Sequence, residues 1–232
     1  MTKQTQTETT SEHPVDRARR ETVSLILRES GAIITGSHVV YNSGKHGRTY
    51  VNKDAVYAYP SRISQLCRYF AHLFDPEGID TVIGPALGGI VLSQWTAYHM
   101  TRKLEERNAK GVVISTFAEK EGDDLVIKRG YDKHITGGRI LIVEDVLTTG
   151  GSVKKVIEAV RAIDGNIVGI GALCNRGGVT AKALGVPVLH ALIDVDLETW
   201  PENECPLCKQ GVAINTQVGK GREYLARVHR EA

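Results

Sequence analysis

Five short apolar runs, spaced along residues 81–195, constrain the fold of this chain more than any other feature. Each run has the length of a β-strand and is followed by a glycine-bearing turn or a segment of helical periodicity. Because the runs do not alternate apolar with polar residues, they are typical of strands buried on both faces, as in a parallel sheet covered by helices. The runs are residues 81–83, 112–114, 140–143, 167–173 and 188–195. The sequence therefore predicts an α/β fold with a central, mostly parallel sheet flanked by helices.

Residues 33–59 have a different pattern from the apolar runs, because short segments of β-branched and aromatic residues flank a polar turn. The segments lie at 38–41 and 49–51. We expect a small β-rich hood here, preceded by a helix over 15–27 and followed by a helix that begins near Ser61.

The rest of the chain divides at changes in composition. Residues 1–14 hold no apolar side chain after Met1, so nothing offsets the entropy of ordering them, and we expect a disordered tail. Residues 118–138 are polar and charged, and a connection of this length inside a domain is typical of a mobile functional loop. We assign 15–195 to one domain and 196–232 to a C-terminal extension.

The composition argues against several classes of protein. With 29 basic and 27 acidic side chains the formal net charge is +2, which disfavours a dedicated nucleic-acid binder. Four cysteines are too few for a secreted disulfide scaffold. No apolar run approaches the ~20 residues of a membrane-spanning helix, and the N-terminus lacks the apolar core of a signal peptide. We expect a cytoplasmic protein with no nucleic-acid partner and no membrane partner.

The run at 140–143 continues into the most informative segment of the chain, where an acidic pair, a loop of hydroxyl residues and glycines, and a helical pattern follow one another. The loop at 146–152 would direct backbone N–H groups and the positive end of a helix dipole at one point, where a phosphate binds. Glu144 and Asp145 would repel that phosphate, but at the carboxyl end of a strand they can accept hydrogen bonds from sugar hydroxyls. Together these residues predict a ribose 5-phosphate ligand.

Residues 143–152 resemble the 5-phosphoribosyl-1-pyrophosphate (PRPP) signature of type I phosphoribosyltransferases, and the order of parts agrees from about residue 33 to residue 195. The resemblance implies the type I phosphoribosyltransferase fold. It also places a pyrophosphate loop at 84–89 and makes 118–138 the flexible catalytic loop. The PRPP-binding residues that it implies are Pro85, Ala86, Gly88, Gly89, Glu144, Asp145, Val146, Leu147, Thr148, Thr149, Gly150, Gly151 and Ser152.

Within this family, the hood is similar to that of the orotate phosphoribosyltransferases, with Lys45 in a Ser-Gly-Lys triplet and Tyr50 downstream. Asn175 and Arg176 resemble an Asp-Arg pair of the same subfamily. The resemblance implies that Lys45 and Arg176 bind orotate, and a buried carboxylate does need charge-assisted donors. Taken singly, each residue can also be a solvated surface cation.

Three positions depart from the orotate pattern. Gly88 stands where a lysine is usual, Glu119 precedes Lys120 where two cations are common, and Asp123 stands in place of a further lysine. The later cations of the loop are Lys128, Arg129 and His134. They either contact pyrophosphate in place of the missing cations or are solvated loop charges. Two other functions also stay open: phosphoribosyl transfer to a purine base, and PRPP sensing without turnover.

The activity implied by the resemblance is transfer of ribose 5-phosphate from PRPP to orotate, giving orotidine 5′-phosphate and pyrophosphate in pyrimidine biosynthesis. Glu144 and Asp145 would hold the ribose near its developing positive charge, and Lys120 would neutralise the leaving group once the loop closes. Mg²⁺ is the implied cofactor, and because it retains several waters we assign it no protein ligands. By resemblance alone, a homodimer is expected.

Cys205 and Cys208 have the spacing of half a zinc site. A full site needs four ligands, and Cys67 and Cys174 belong to the body of the predicted fold. Either the same pair from a second subunit completes the site, or the segment is a tight turn with two free thiols.

Overall fold

The computed structural model describes residues 14–195 and 197–231. The disordered tail expected for residues 1–14 therefore lies outside the described residues, except for Pro14, which begins the first helix. The helices are α1 (Pro14–Glu29), α2 (Asp54–Tyr57), α3 (Pro60–Leu73), α4 (Gly88–Glu106), α5 (Gly151–Ala162), α6 (Ala181–Leu184), α7 (Pro206–Lys209) and α8 (Gly221–Glu231). The strands are β1 (Ile33–Ile34), β2 (Val39–Val40), β3 (His46–Gly47), β4 (Tyr50–Val51), β5 (Thr81–Pro85), β6 (Ile114–Glu121), β7 (Asp124–Val126), β8 (Arg139–Leu147), β9 (Asn166–Asn175), β10 (Leu189–Asp194) and β11 (Thr199–Trp200).

The central sheet has six strands in the order β10-β9-β8-β5-β6-β7. The first five pair in parallel, and β7 pairs antiparallel with β6 at one edge. β8 lies inside the sheet, and its residues from Ile140 to Val143 are fully buried, as their continuous apolar run predicts. The predicted α/β class, with a mostly parallel central sheet, is confirmed.

Helices cover both faces of this sheet. On one face, Leu141 of β8 shares a core cluster with Phe70 of α3 and Met100 of α4. Ile142, the next residue, points to the opposite face and shares a second cluster with Val156 of α5. Because β5, β8 and β9 run parallel, their carboxyl ends lie together at one edge of the sheet.

One predicted strand is wrong in its bounds. The run at 112–114 predicts a strand there, but β6 begins at Ile114 and Val112 is 61% exposed. β6 buries alternate residues, among them Thr116 and Ala118. A strand near the edge of the sheet is covered less completely, so its sequence alternates instead of forming an apolar run.

The segment at 118–138, expected as a mobile loop, opens with a β-hairpin. Residues 119–121 pair with residues 124–126. Lys155 of α5 donates a hydrogen bond to the backbone carbonyl of Asp123 at the hairpin turn. The hairpin is therefore tied to the helix that follows β8, at the side of the sheet where the strands end.

The hood is β-rich as predicted, and the C-terminal extension contributes to it. β1 pairs with β4, while β2, β3 and β11 form a second antiparallel sheet. β3 lies inside the segment whose polar residues predict a turn, and Trp200 of β11 pairs with His46 of β3. The backbone N–H of Lys220 adds a hydrogen bond to the carbonyl of Val40. The extension is thus attached to the hood through β11 and through the backbone of Lys220.

α4 has 19 residues and buries one face against the sheet. Its last turns carry charged side chains, including Arg102, Lys103 and Glu105. Among residues 14–195 and 197–231, no helix combines the length and the hydrophobicity that crossing a bilayer requires.

Candidate active site

A cleft of about 580 Å³ opens at the carboxyl ends of the central strands. Its walls come from the end of β4, the loop between β5 and α4, the β6–β7 hairpin, the turn after β8 and the end of β9. The lining residues are Tyr50, Val51, Asn52, Lys53, Asp54, Pro85, Ala86, Leu87, Gly88, Lys120, Asp123, Asp124, Leu125, Glu144, Asp145, Val146, Thr148, Ser152, Lys155 and Arg176. Ligands of open α/β sheets bind at this edge.

A smaller pocket of about 150 Å³ lies at the turn between β8 and α5. Gly150 has a φ of 75°, in the left-handed region that glycine adopts without strain, and α5 begins at the next residue with no side chain capping its first turn. The uncapped N–H groups and the helix dipole favour an anion there. The walls are Glu144, Val146, Leu147, Thr148, Thr149, Gly150, Gly151, Ser152 and Val153. They include every residue of the predicted phosphate loop at 146–152.

The acidic pair lies between these two cavities and is almost fully buried. Glu144 and Asp145 are 6% and 4% exposed. Glu144 accepts a hydrogen bond of 3.0 Å from the N–H of Asp145, which in turn accepts one of 2.7 Å from the N–H of Val146. Burial, followed by the charge of Asp145, raises the pKa of Glu144 to about 8. Buried carboxylates are stabilised by hydrogen-bond donors, and the hydroxyls of a sugar are donors of the right kind.

Sequence reasoning missed two residues that face Asp145. Lys53 Nζ lies 2.7 Å from Asp145 Oδ2, and the Tyr57 hydroxyl donates to the same oxygen at 3.4 Å. Burial is the largest single effect and lowers the pKa of Lys53, but the hydrogen bond to Asp145 and the negative charges of Asp145, Asp54 and Glu144 together outweigh it, so the pKa is raised. Burial, and then the Asp145 charge, raises the pKa of Tyr57. No local sequence signal indicated either contact, because residues 53 and 57 lie about 90 positions before Asp145 in the chain.

The space around Gly88 leaves no room for a side chain, so the positive charge beside Asp145 comes from Lys53 of the hood. A Cβ atom at Gly88 would overlap Asp145 Oδ2 and would lie 2.7 Å from the Tyr57 hydroxyl oxygen. The lysine that the resemblance implies at this position does not fit while Tyr57 and Asp145 stay where they are. Lys53 provides the positive charge beside Asp145 instead.

Replacing Gly88 with alanine should therefore displace Asp145 and Tyr57. We expect a 10-fold or larger loss of kcat/KM, because overpacking at such a site costs about 1–3 kcal/mol. Steady-state kinetics against PRPP measures it. The matched control is Gly78→Ala, since a Cβ there meets nothing within 4 Å. Equal activity of the two variants would show that the space at Gly88 is not needed.

Arg176 reaches the cleft because the turn after β9 is held from two sides. The N–H groups of Arg176 and Gly177 both donate to the carbonyl of Leu147, at 2.8 and 3.1 Å. The buried Asn175 side chain exchanges two hydrogen bonds of 3.0 Å with the backbone of Val179. The Arg176 guanidinium lies 5.7 Å from the centre of the Tyr41 ring. Asn175 thus serves here as a turn-fixing residue, and Arg176 projects from that turn.

The loop cations occupy two different environments. Lys120 lines the cleft, and its side chain has no ion-pair partner among the residues that the structure describes. Lys128 lies 2.9 Å from Glu121, and Arg129 lies 3.0 Å from Glu119, so both cations are paired with carboxylates of β6. His134 belongs to a short 3₁₀ turn and is not among the cleft-lining residues. The structure brings Lys120 to the cleft and leaves the other three outside it.

Two more of the predicted site residues do not line the cleft. Lys45 is exposed at the turn between β2 and β3. Gly89 lies in the first turn of α4, where it packs against Gly84 of β5. All the other predicted residues line either the cleft or the phosphate pocket.

An uncapped helix N-terminus and two buried carboxylates at the carboxyl ends of an α/β sheet are typical of a protein that binds a sugar phosphate. The sequence model of the phosphoribosyl transferase domain matches residues 52–200, which include both features. The chain belongs to the phosphoribosyltransferase family, and its fold is the type I phosphoribosyltransferase fold.

Comparison with individual proteins gives the same picture. The chain is 39% identical over 193 residues to the orotate phosphoribosyltransferase of Desulforamulus reducens, covering 83% of this chain and 93% of that protein. It is 38% identical over 195 residues to the one of Caldicellulosiruptor saccharolyticus, covering 84% and 94%. The solved orotate phosphoribosyltransferase from Aeropyrum pernix has a TM-score of 0.57 at 21% identity, over 75% of this chain and 93% of that one.

Proposed function

We propose that this chain is an orotate phosphoribosyltransferase, which transfers ribose 5-phosphate from PRPP to orotate and releases pyrophosphate in pyrimidine biosynthesis. The observation that carries the phosphoribosyl part is the placement of two buried carboxylates between an uncapped helix N-terminus and a wide cleft. The choice of orotate is supported by curated relatives of that name at 35–39% identity over most of the chain.

In this reaction the turn at 146–152 binds the 5-phosphate through backbone N–H groups and the hydroxyls of Thr148 and Ser152. Glu144 and Asp145 accept hydrogen bonds from the ribose hydroxyls. Their negative charge also lies next to C1′, where positive charge develops as the bond to pyrophosphate breaks. Binding and orientation of PRPP, and stabilisation of separated charge, are the main work of the site.

Lys53 acts on the leaving group in this scheme. In the ligand-free protein its ammonium neutralises Asp145. When the ribose hydroxyls donate hydrogen bonds to Asp145 in place of Lys53, the ammonium of Lys53 becomes available to pyrophosphate beside the loop at 84–89. Lys53 then provides the positive charge that Gly88 lacks. Lys120, which lines the same cleft from the β6–β7 hairpin, completes the neutralisation.

Arg176 receives the base. Its planar guanidinium suits the carboxylate of orotate, which it would bind through two parallel hydrogen bonds. The ring of Tyr41 supports the guanidinium from the hood side. Lys45 lies on the same hood, at an exposed turn, so its contact with orotate requires the hood to close over the cleft.

The donor set of the cleft fits a hard cation that arrives with the substrate. Glu144, Asp145, Asp123 and Asp124 offer carboxylate oxygens, the ligand type that Mg²⁺ prefers. Lys53 already offsets the charge of Asp145, which favours a Mg²⁺ held mainly by substrate oxygens and water. Bound there, Mg²⁺ would neutralise part of the pyrophosphate charge. A homodimer and a cytoplasmic location complete the proposal and rest on the family resemblance and on the composition.

Turnover of a panel of bases tests the proposed substrate. With PRPP and Mg²⁺ present, the purified chain should consume orotate in preference to adenine, hypoxanthine or uracil. The Arg176→Gln variant should lose 100-fold or more in kcat/KM for orotate, because a buried carboxylate would lose its charged partner at a cost of about 3 kcal/mol. Its affinity for PRPP should stay within a few-fold of the parent.

The control for that variant is Arg68→Gln, on the exposed side of α3. Turnover of a purine base without turnover of orotate would identify a different phosphoribosyltransferase. PRPP binding without turnover of any base would identify a sensor instead of an enzyme.

A further inference from the structure

Four metal-ligating side chains meet at the junction of the hood and the C-terminal extension. His38, His46, Cys205 and Cys208 each offer one ligand atom, and these four atoms lie within 4.8 Å of one another. His38 is 2% exposed, and His46 and Cys205 are fully buried. The half site seen in the sequence is thus completed by two histidines of the same chain, and no second subunit is needed.

Four of the six separations between these atoms lie within a few tenths of an ångström of those in a tetrahedron around zinc. Zn–S distances of about 2.3 Å and Zn–N distances of about 2.0–2.1 Å place tetrahedral ligand atoms about 3.3–3.8 Å apart. Cys208 Sγ lies 3.3 Å from His46 Nδ1 and 3.7 Å from His38 Nε2, and Cys205 Sγ lies 3.6 Å from His38 Nε2. The two ring nitrogens, at 2.9 Å, need to separate by only a few tenths of an ångström.

The hydrogen bonds around the cluster orient His38 as a ligand. His38 Nδ1 lies 2.7 Å from the carbonyl oxygen of Val212, which can accept only if Nδ1 carries the proton. The opposite nitrogen, Nε2, then presents a lone pair to the cluster. A backbone carbonyl on the far nitrogen is the usual second contact of a metal-bound histidine.

Hydrogen bonding alone does not satisfy the cluster. If His38 Nε2 is an acceptor, the 2.9 Å contact requires His46 Nδ1 to carry a proton and donate it. In a neutral imidazole, His46 Nε2 then has no proton and presents a lone pair. His46 Nε2 is buried and has no hydrogen-bond partner among the described residues. A cation between the four atoms would be held by lone pairs on His38 Nε2 and His46 Nδ1, with the protons on the far nitrogens; His46 Nε2 then carries a proton that has no partner among the described residues.

We propose that His38, His46, Cys205 and Cys208 of one chain bind a structural Zn²⁺ that cross-links the hood to the C-terminal extension. Two thiolates and two neutral imidazoles balance the charge of the ion, and thiolate with imidazole favours zinc over Mg²⁺ or Ca²⁺. Four protein ligands leave no open position, so the ion is structural and not catalytic. None of the four residues lines the cleft, and all lie outside the family-matched residues 52–200.

The cross-link joins distant parts of the chain. His38 and Cys205 are 167 positions apart. The four ligands lie on β3, next to β2 and around α7, which are short elements with little buried surface of their own. Constraining a long loop lowers the entropy of the unfolded chain, and in small elements of this kind the metal supplies much of the stability.

The metal content of the full-length, untagged protein tests this site. Elemental analysis after dialysis against metal-free buffer should give about one zinc per chain. The Cys205→Ser/Cys208→Ser variant should contain less than a tenth of that amount, and His46→Ala should also lose the ion. The matched controls are Cys67→Ala/Cys174→Ala, which removes the remaining cysteines, and His72→Ala, an exposed histidine of α3. Both controls should retain zinc.

Two measurements on the unmutated chain test the site without relying on variants that could lose zinc by misfolding. After removal of zinc with a chelator, addition of Co²⁺ should produce the visible absorption of tetrahedral thiolate-bound cobalt, and Zn²⁺ should displace it. Chelation should lower the Tm by about 5 °C or more, and added Zn²⁺ should restore it. A chain purified from zinc-containing medium that holds no metal, does not bind Co²⁺ or Zn²⁺ and shows two freely reactive thiols or a Cys205–Cys208 disulfide would contradict the site.

Discussion

Replacing both Glu144 and Asp145 with their amides should lower kcat/KM for PRPP by about 10³-fold or more. Hydrogen bonds donated by bound ribose favour the ionised form of Glu144 and lower its raised pKa, so in the complex each carboxylate accepts as a charged group. A charge-assisted hydrogen bond contributes about 1.5–3 kcal/mol, so the pair contributes about 4 kcal/mol in total. The amides keep the size of the side chains but lose the charge that stabilises the developing cation at C1′. Initial rates at varied PRPP measure the loss.

Stability measurements separate this loss from misfolding. The glutamate carboxyl has an ordinary pKa of 4.5, whereas in the folded protein burial and Asp145 raise the pKa of Glu144 to about 8. The folded state therefore binds more protons in this window, and wild-type stability should fall as the pH rises from about 5 through 8. Glu144→Gln should escape this fall and be the more stable protein at pH 9. The activity control is Glu106→Gln/Glu158→Gln, on exposed helix faces; full activity of the Glu144/Asp145 variant would contradict the assignment.

Removing the side chain of Lys120 should lower kcat by about 10²-fold while changing KM for PRPP much less. Lys120 lines the cleft with an unpaired ammonium, so its charge is available for the leaving pyrophosphate. Loss of one preorganised group that stabilises transition-state charge costs about 10²–10³ in kcat. The Lys120→Ala variant, assayed under saturating PRPP and orotate, measures it.

Lys110→Ala is the matched control, because Lys110 is an exposed lysine in the turn between α4 and β6 and does not line the cleft. It should keep the activity of the parent. If Lys120→Ala also kept it, the leaving group would have to be neutralised by Lys53 or by one of the later loop cations. A rise in KM with unchanged kcat would assign Lys120 to ground-state binding alone.

The central strands and the phosphate turn could be predicted because their signals are local. An unbroken apolar run such as 140–143 requires burial on both faces, and a turn of hydroxyls and glycines after it requires a helix N-terminus nearby. The acidic pair could be predicted from a local signal too, because carboxylates directly after a buried apolar run must face solvent or a ligand at the edge of the sheet. These residues lie where the sequence places them.

What could not be predicted depends on contacts between distant residues. Lys53 faces Asp145 across 92 positions of the chain, and nothing local to Lys53 shows this partner. β6, next to the edge strand β7, alternates buried with less buried residues and so lacks the continuous apolar run of the inner strands, and β3 lies in a segment that resembles a turn. Cys205 and Cys208 give half of a metal site, while His38 and His46 become visible as ligands only when β11 has paired with β3.

The central claim is that the turn after β8 binds a sugar phosphate while Glu144 and Asp145 hold the vicinal hydroxyls. Calorimetric titration with ribose 5-phosphate and with 2-deoxyribose 5-phosphate tests both parts. The wild-type protein should prefer ribose 5-phosphate by about 10-fold, the worth of one charge-assisted hydrogen bond, and Asp145→Asn should lose most of that preference. Thr148→Ala/Ser152→Ala should weaken both ligands equally. Equal affinity of the wild-type protein for the two sugars, or no binding of either, would contradict the account.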